Sequence, residues 1–185
     1  MQDLWARIIA WFINNKVPPH AFALAPGVTE QDIRRAEVQM QLDFPPDLRA
    51  SYLLHNGSKE RWIFQQGFLL ALDDVVDAHF FKSDALRTGA FENCRANPKG
   101  AIKREFWNAR WIPITDNGTG DHICVDMDPA NGGNKGQIIA TNHETGPIAV
   151  LADSFREWLT TFATDLELGK YQYDEKSFVI RKRCD

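Results

Sequence analysis

Residues 111–140 carry the clearest structural pattern in the chain, and they read WIPITDNGTGDHICVDMDPANGGNKGQIIA. Three short apolar runs lie at 111–114, 122–125 and 136–140, and the two segments between them are rich in Asp, Asn and Gly. Short apolar runs bounded by such turn residues are typical of β-strands. The sequence therefore predicts a β-hairpin followed by a third strand of the same antiparallel sheet.

Helix signals lie on both sides of this region. Thr29 and Asp32 have the spacing of a capping box, and so do Ser154 and Glu157. In this motif a hydroxyl and a carboxylate bond the free backbone amides at a helix start. Pro46 suits the first turn of another helix, because its missing N–H would have no helical partner there. Helices are thus expected both before and after the strands.

Shorter patterns predict three more elements. The apolar stretches 62–64 and 68–72 are interpreted as the two strands of a hairpin. Asp73 or Asp74 is expected to cap the helix that follows. Near the end of the chain, residues 178–180 are expected to add one more strand.

An apolar run near the N-terminus, residues 8–13, raises the question of a membrane segment. The run is far shorter than the roughly 18 apolar residues that a span requires, and no cationic segment precedes it. Its apolar residues fall at helical spacing, which favours an amphipathic helix packed on the domain over one that docks on a membrane or a partner. We therefore expect no membrane span.

Composition limits the class of protein. The chain has 185 residues, 44% hydrophobic and 25% charged, as in one soluble globular domain with a core. Its three cysteines lack C-x-x-C spacing, which argues against a disulfide framework and indicates a reducing, cytoplasmic location. The net charge is −4, yet residues 111–168 carry nine acidic residues against two cations, while residues 81–110 are basic. We expect an electrostatically two-sided surface.

Four aspartates, Asp116, Asp121, Asp126 and Asp128, cluster in the two turn regions. Their spacing departs from the EF-hand pattern, the histidines are scattered, and the glycine pairs lack the P-loop lysine, so no metal and no cofactor are expected. Ser154 is explained as a helix cap, and no G-x-S-x-G motif is present. We therefore expect a protein that is not an enzyme.

Three segments, taken in order, resemble the SUKH superfamily, named partly after the fungal Smi/Knr cell-wall-assembly regulators. The first segment runs from Thr29 to Gly57 and contains Phe44-Pro45 and His55-Asn56-Gly57. The second runs from Trp111 to Gln137 and contains Asp126-x-Asp128-Pro129 and Gly136-Gln137. The third runs from Ala152 to Leu159. The resemblance covers residues 26–168. It implies an α+β fold, a single domain with a largely antiparallel β-sheet flanked by helices, and a role in binding other proteins. We divide the chain into an N-terminal helix with linker at 1–20, a SUKH-like domain at 21–169 and a C-terminal extension at 170–185.

Two functional hypotheses follow from this resemblance. Bacterial members are commonly immunity proteins that neutralise toxins, often nucleases, whereas the fungal ones carry long additional regions that this chain lacks. The first hypothesis is therefore an immunity protein that binds a cognate toxin directly. The second is a regulatory or scaffolding module of cell-wall or signalling assemblies. Both imply a protein partner rather than nucleic acid, and both leave the oligomeric state open.

The partner-binding residues are predicted from exposure and charge. Trp62 follows Arg61 and a turn, which favours an exposed indole that anchors a partner. Asp116, Asp121, Asp126 and Asp128 are predicted to form an acidic surface. Such a surface would be steered toward a cationic site, for example one built to hold phosphates.

Overall fold

The computed structural model describes residues 1–59, 61–175 and 179–183. Within these ranges the helices are α1 (Gln2–Asn14), α2 (Pro19–Phe22), α3 (Glu30–Met40), α4 (Pro46–Tyr52), α5 (Leu72–Arg87) and α6 (Phe155–Glu167). The strands are β1 (Phe68–Leu69), β2 (Trp111–Pro113), β3 (Thr115–Asp116), β4 (His122–Asp126), β5 (Gln137–Asn142), β6 (Gly146–Ala152), β7 (Tyr171–Asp174) and β8 (Val179–Lys182).

A four-stranded antiparallel sheet in the order β2-β4-β5-β6 forms the centre of the molecule. Its first three strands are the runs predicted within residues 111–140, and Val125 pairs with Ile112 on one side and with Ile138 on the other. The helices pack around this sheet. The predicted α+β fold with a largely antiparallel sheet is therefore confirmed.

Both faces of the central sheet are buried along β2 and β4. Ile112, Val125 and Ile138 belong to the main core beneath the helices. Neighbouring positions such as Trp111 and Cys124 point to the opposite face, because side chains alternate along a strand. There they pack against Ile102 and Trp107 from the basic stretch 81–110, so part of that stretch covers the sheet.

The strands near residue 65 pair differently from the prediction. The expected hairpin of 62–64 with 68–72 is reduced to one bridge, between Phe64 and Gly67, and Phe68 pairs with Asp116 of β3 instead. The buried Ser58 explains the difference. Its hydroxyl accepts a 2.9 Å hydrogen bond from the Leu69 N–H and donates to the Arg61 carbonyl, so a side chain occupies a position that a paired strand would fill.

The helix starts follow the sequence signals in three of four cases, and α4 begins at Pro46 as predicted. The capping box of Thr29 and Asp32 is complete, and the Ser154 hydroxyl accepts from the Glu157 N–H at 3.1 Å. The Glu157 carboxylate, however, accepts from Asp153 N–H rather than from the cap residue.

The prediction that Asp73 or Asp74 caps α5 is wrong. The helix begins at Leu72, so both aspartates lie in its first turn. The Leu72 N–H donates instead to the side-chain oxygen of Asn56, at 2.7 Å, so a residue from a distant loop takes the place of a local cap.

Both ends of the chain contribute to the main core. The predicted amphipathic helix α1 buries Trp5, Ile8 and Phe12, and the Trp5 indole donates to the Ser51 hydroxyl of α4 at 2.9 Å. Among the described residues, no helix is both long enough and apolar enough to cross a bilayer.

Near the C-terminus, Ile180 of β8 is buried in the main core. The strand predicted at residues 178–180 corresponds to β8, which begins at Val179. Phe178 lies outside the described residues. The division at residues 20 and 169 stays a prediction.

Candidate protein-interaction surfaces

Asp126 is completely buried at the end of β4. Its carboxylate accepts hydrogen bonds from the Trp111 indole at 3.0 Å, the Gln137 side-chain amide at 2.9 Å and the backbone N–H of Asp128 at 2.9 Å. Burial raises the pKa of Asp126, and the three hydrogen bonds only partly offset that effect. This aspartate therefore holds strands together and does not form part of the surface.

Asp128 is half-buried and already has a cationic partner. Its carboxylate receives hydrogen bonds from the Lys103 ammonium at 2.5 Å and the Asn108 amide at 3.1 Å. The hydrogen bond from Lys103 is the main reason why the pKa of Asp128 is lowered. The basic and acidic segments meet at this ion pair, so the charge of Asp128 is largely compensated within the protein.

Asp121 lies between two turns. Its carboxylate accepts from the backbone and ring of His143, at 2.8 and 2.7 Å, and from Asn117 and Asn142. Burial alone would raise the pKa of Asp121, but the hydrogen bonds from His143 and Asn117 outweigh it and lower the pKa. Asp121 thus joins the β3–β4 turn to the β5–β6 turn.

Asp116 is the predicted aspartate that lines a surface groove. The groove lies between α5 and the β3–β4 turn, encloses about 420 Å³, and has a lining that includes Phe68, Asp74, Asp77, Phe81, Lys82, Asp116 and His122. We call it the α5 groove. Asp126, Asp128 and Trp62 do not belong to it, so the five predicted site residues do not converge on one place. Partner binding by these five residues stays a prediction.

Phe81 is the most exposed aromatic side chain of the α5 groove, at 74%. Residues Val75, Val76 and His79 form the buried side of α5, which leaves Phe81 and its neighbour Phe80 outside the core. Sequence reasoning missed both. The available signal was two adjacent aromatic residues out of phase with the buried positions of the helix.

The electrostatics of the α5 groove are acidic. Asp74, Asp77 and Asp116 contribute three carboxylates, while Lys82 is the cation of the lining and donates to the Gly120 carbonyl at 3.2 Å. At the base, the ring of His122 is hydrogen-bonded to the Thr115 carbonyl at 2.8 Å. Burial lowers the pKa of His122, which keeps the ring neutral near pH 7.

A second cavity continues the α5 groove along β1. It shares Phe68 and Asp74 with the groove and reaches Asn56 and Lys59. Because they share these two lining residues, the two cavities adjoin each other.

Trp62 is half-buried and lies at a different cavity, together with Gln65, Ile180, Arg181 and Lys182. This cavity, which we call the Trp62 pocket, encloses about 430 Å³. None of the four predicted aspartates lines it.

Two side chains of nucleophilic type, Cys124 and Ser154, have structural roles. Burial raises the pKa of Cys124 to about 12, so its thiol stays protonated and unreactive. Ser154 is engaged as a helix cap. Residues 1–59, 61–175 and 179–183 contain no group of three or more His, Cys, Asp or Glu side chains arranged to hold a metal ion. Cys184 lies outside the described residues.

The fold is that of an α+β protein, with the α5 groove and the Trp62 pocket on its surface. The chain belongs to the SMI1/KNR4 family (SUKH-1), whose sequence model matches residues 27–161. The resemblance noted from the sequence is therefore confirmed.

Several curated fungal proteins are similar to this chain. The "Cell wall biosynthesis/cell cycle regulator smi1" of Schizosaccharomyces pombe is 24% identical, over 98% of this chain and 39% of its own length. The "Cell wall assembly regulator SMI1" of Saccharomyces cerevisiae is 25% identical, over 90% and 40%. A "KNR4/SMI1 homolog" of Kluyveromyces lactis is 36% identical, over 90% and 44%. The chain spans about two fifths of the length of these relatives.

Proposed function

We propose that this protein is a non-enzymatic regulatory module that binds another protein through the α5 groove. The observation that carries the proposal is Phe81, three-quarters exposed beside the carboxylates of Asp77 and Asp116. An exposed aromatic ring loses unfavourable contact with water when a partner covers it, which stabilises a complex. Aromatic residues are enriched at the buried centres of protein interfaces.

The carboxylates around Phe81 specify the chemistry of the partner. Three acidic side chains against Lys82 give the groove an excess of negative charge. A complementary segment carries an apolar side chain that packs on Phe81 and has Lys or Arg beside it. Its cations would speed association at low salt, and the apolar contact would slow dissociation.

The printed names of the fungal relatives support a regulatory role over an immunity role. They describe regulators of cell-wall assembly, cell-wall biosynthesis and the cell cycle. We therefore place the second hypothesis from the sequence first, and we include a cytoplasmic location in the proposal. This chain spans about two fifths of the length of those proteins. A role for it in cell-wall assembly is therefore part of the proposal.

An immunity protein remains the narrower hypothesis. It would use the same kind of docking, with a toxin as the partner, but the relatives named above are fungal regulators and lend it no support. Identification of the bound partner separates the two. A toxin domain recovered in equal amount with this protein would favour immunity, and a component of a cell-wall or signalling assembly would favour regulation.

The experiment compares capture by the wild-type protein with capture by Phe81→Ser. Tagged protein is purified from the cells that produce it, and bound proteins are quantified by mass spectrometry. We expect the specific partner to be reduced at least tenfold with Phe81→Ser, because the variant removes the apolar contact while the exposed position leaves folding intact.

Val38→Ser is the matched control. Val38 is 77% exposed on α3 and lies outside the α5 groove, so its replacement removes a comparable exposed apolar group elsewhere. We expect full capture with this variant. Equal capture by wild type and Phe81→Ser would contradict docking at the α5 groove.

A further inference from the structure

The Trp62 pocket unites two features that are far apart in the sequence. Trp62 precedes β1, whereas Arg181 and Lys182 belong to β8 near the C-terminus, yet all three line one cavity. The pocket is separate from the α5 groove, since no residue lines both.

The tryptophan side of the pocket is held in place from below. Ser58 is completely buried, and its hydroxyl donates to the Arg61 carbonyl at 2.7 Å while accepting from Leu69 N–H. The next residue after Trp62, Ile63, is completely buried in the main core. The loop is therefore anchored on both sides of Trp62, which keeps the half-buried indole at the surface.

The register of the β7–β8 hairpin determines how the residues of β8 line the pocket. Ile180 and Lys182 are two positions apart, so they share one face, and Ile180 is buried in the core on that face. Lys182 is exposed at the rim. Arg181 also reaches the rim, where its Nε lies 3.2 Å from an oxygen of Asp174.

These residues give the pocket an apolar floor and a cationic rim. The indole of Trp62 and the side chain of Ile180 provide the floor, and Arg181 and Lys182 provide two positive charges. Among the described residues, no carboxylate lines the pocket. Arg181 shares its charge with Asp174, which leaves Lys182 as the main attraction for an anion. This charge is opposite to that of the α5 groove.

We propose that the Trp62 pocket is a second docking site, for an acidic segment of a partner protein that carries an apolar side chain. The apolar side chain packs on Trp62, and neighbouring Asp or Glu residues face Lys182 and Arg181. With a cationic segment in the α5 groove and an acidic one in the Trp62 pocket, the protein binds two different segments at once. That property suits a scaffold. Simultaneous binding of two segments rests on the proposed docking in the α5 groove, whereas docking in the Trp62 pocket does not.

The test uses fluorescence anisotropy with labelled peptides and the full-length protein. The acidic peptide has one Phe flanked by Glu and Asp, and its neutral counterpart has Gln and Asn at the same positions. We expect the acidic peptide to bind at least tenfold more tightly than the neutral one, and to weaken as salt is raised.

Variants then locate the binding site. Trp62→Ala and Lys182→Glu are each expected to weaken binding of the acidic peptide about tenfold. Lys135→Glu makes the same charge change at an exposed lysine outside the pocket, and we expect it to leave binding unchanged. Phe81→Ser is also expected to have no effect, which separates this site from the α5 groove.

Three results would overturn the proposal. They are no measurable binding of the acidic peptide, equal binding of the neutral peptide, and equal losses with Lys182→Glu and Lys135→Glu. Lys182→Glu changes an exposed side chain, so the test holds even if Trp62→Ala impairs folding.

Discussion

Trp111 and Asp126 lie opposite each other across the β2–β4 pair, and the Trp111 indole donates a 3.0 Å hydrogen bond to the Asp126 carboxylate. The same carboxylate accepts from Gln137, the first residue of β5. One buried aspartate thereby links three adjacent strands. Residues that carry the family resemblance in this region therefore serve the fold, which explains why the resemblance predicts the fold better than the binding site.

Asp126→Ala is expected to destabilise the protein. It leaves the Trp111 indole N–H and one Gln137 N–H without an acceptor, and each buried donor left unpaired costs about 1–3 kcal/mol. Urea unfolding followed by circular dichroism measures the loss of unfolding free energy. Asp153→Ala, at an exposed aspartate, is the control and should stay within about 0.5 kcal/mol of wild type. Similar stabilities for the two variants would show that the buried network contributes little.

Stability is expected to fall as the pH drops below about 6.5, the ordinary pKa of histidine. Burial lowers the pKa of His79 and His122 in the folded protein, so the unfolded chain binds more protons in this range. Stability therefore decreases between about pH 6.5 and the lower pKa values of the folded state. The raised pKa of Asp126 acts in the opposite direction, since the folded state takes up its proton first as the pH falls.

His79 provides the test of this pH dependence. Its Nε2–H donates to the Ala109 carbonyl at 2.8 Å, while its buried Nδ1 has no hydrogen-bond partner among the described residues. His79→Gln can keep a donor and removes the titrating group, so unfolding free energies at pH 7.5, 6.5 and 5.5 should show a shallower slope. His20→Gln makes the same substitution at an exposed histidine and is the matched control. An unchanged slope with His79→Gln would contradict the assignment.

The start of α5 should depend on Asn56. Its side-chain oxygen accepts the Leu72 N–H, which helix geometry otherwise leaves without a partner. We expect Asn56→Ala to lower the unfolding free energy by about 1–2 kcal/mol and Asn56→Asp to retain most of the stability, because an acceptor remains. Chemical denaturation of the three proteins checks this. Equal stability of the Ala and Asp variants would show that the oxygen is dispensable.

Local signals in the sequence were enough for much of the fold. The Thr29 capping box acts within four residues, and the strands of residues 111–140 are separated by short turns, so neighbours in sequence become neighbours in the sheet. The pairing of Phe68 with Asp116 could not be predicted in this way, because it joins segments 48 residues apart in the chain. The Asn56 cap of α5 could not be predicted for the same reason, because it too joins segments that are separated in the chain.

The binding surfaces were harder to predict for related reasons. The sequence places Asp126 beside the turn at Asp128, where aspartates are usually solvated, but Trp111 and Gln137 enclose it once the strands pair. The composition of a segment shows which residues carry charge, but it does not show which of them are buried in the fold. The sequence did not identify Phe81 as a surface residue, because its exposure depends on which side of α5 packs against the sheet. The basic region that follows Phe81 also obscured the helical pattern.

Docking at the α5 groove is tested by the affinity of the captured partner for a variant whose groove is less acidic. Asp77→Asn with Asp116→Asn removes two charges, and an asparagine at 116 can still accept the Gly118 N–H through its side-chain oxygen. The matched control, Asp73→Asn with Asp153→Asn, removes two charges at exposed aspartates outside the groove.

Isothermal titration calorimetry at low and high salt gives the result for each protein. Docking of a cationic segment in the α5 groove predicts that the groove variant binds about tenfold more weakly at low salt and responds less to salt, while the control keeps most of the wild-type affinity. Equal affinities and equal salt dependence for the groove variant and the control would contradict docking of a cationic segment in the α5 groove.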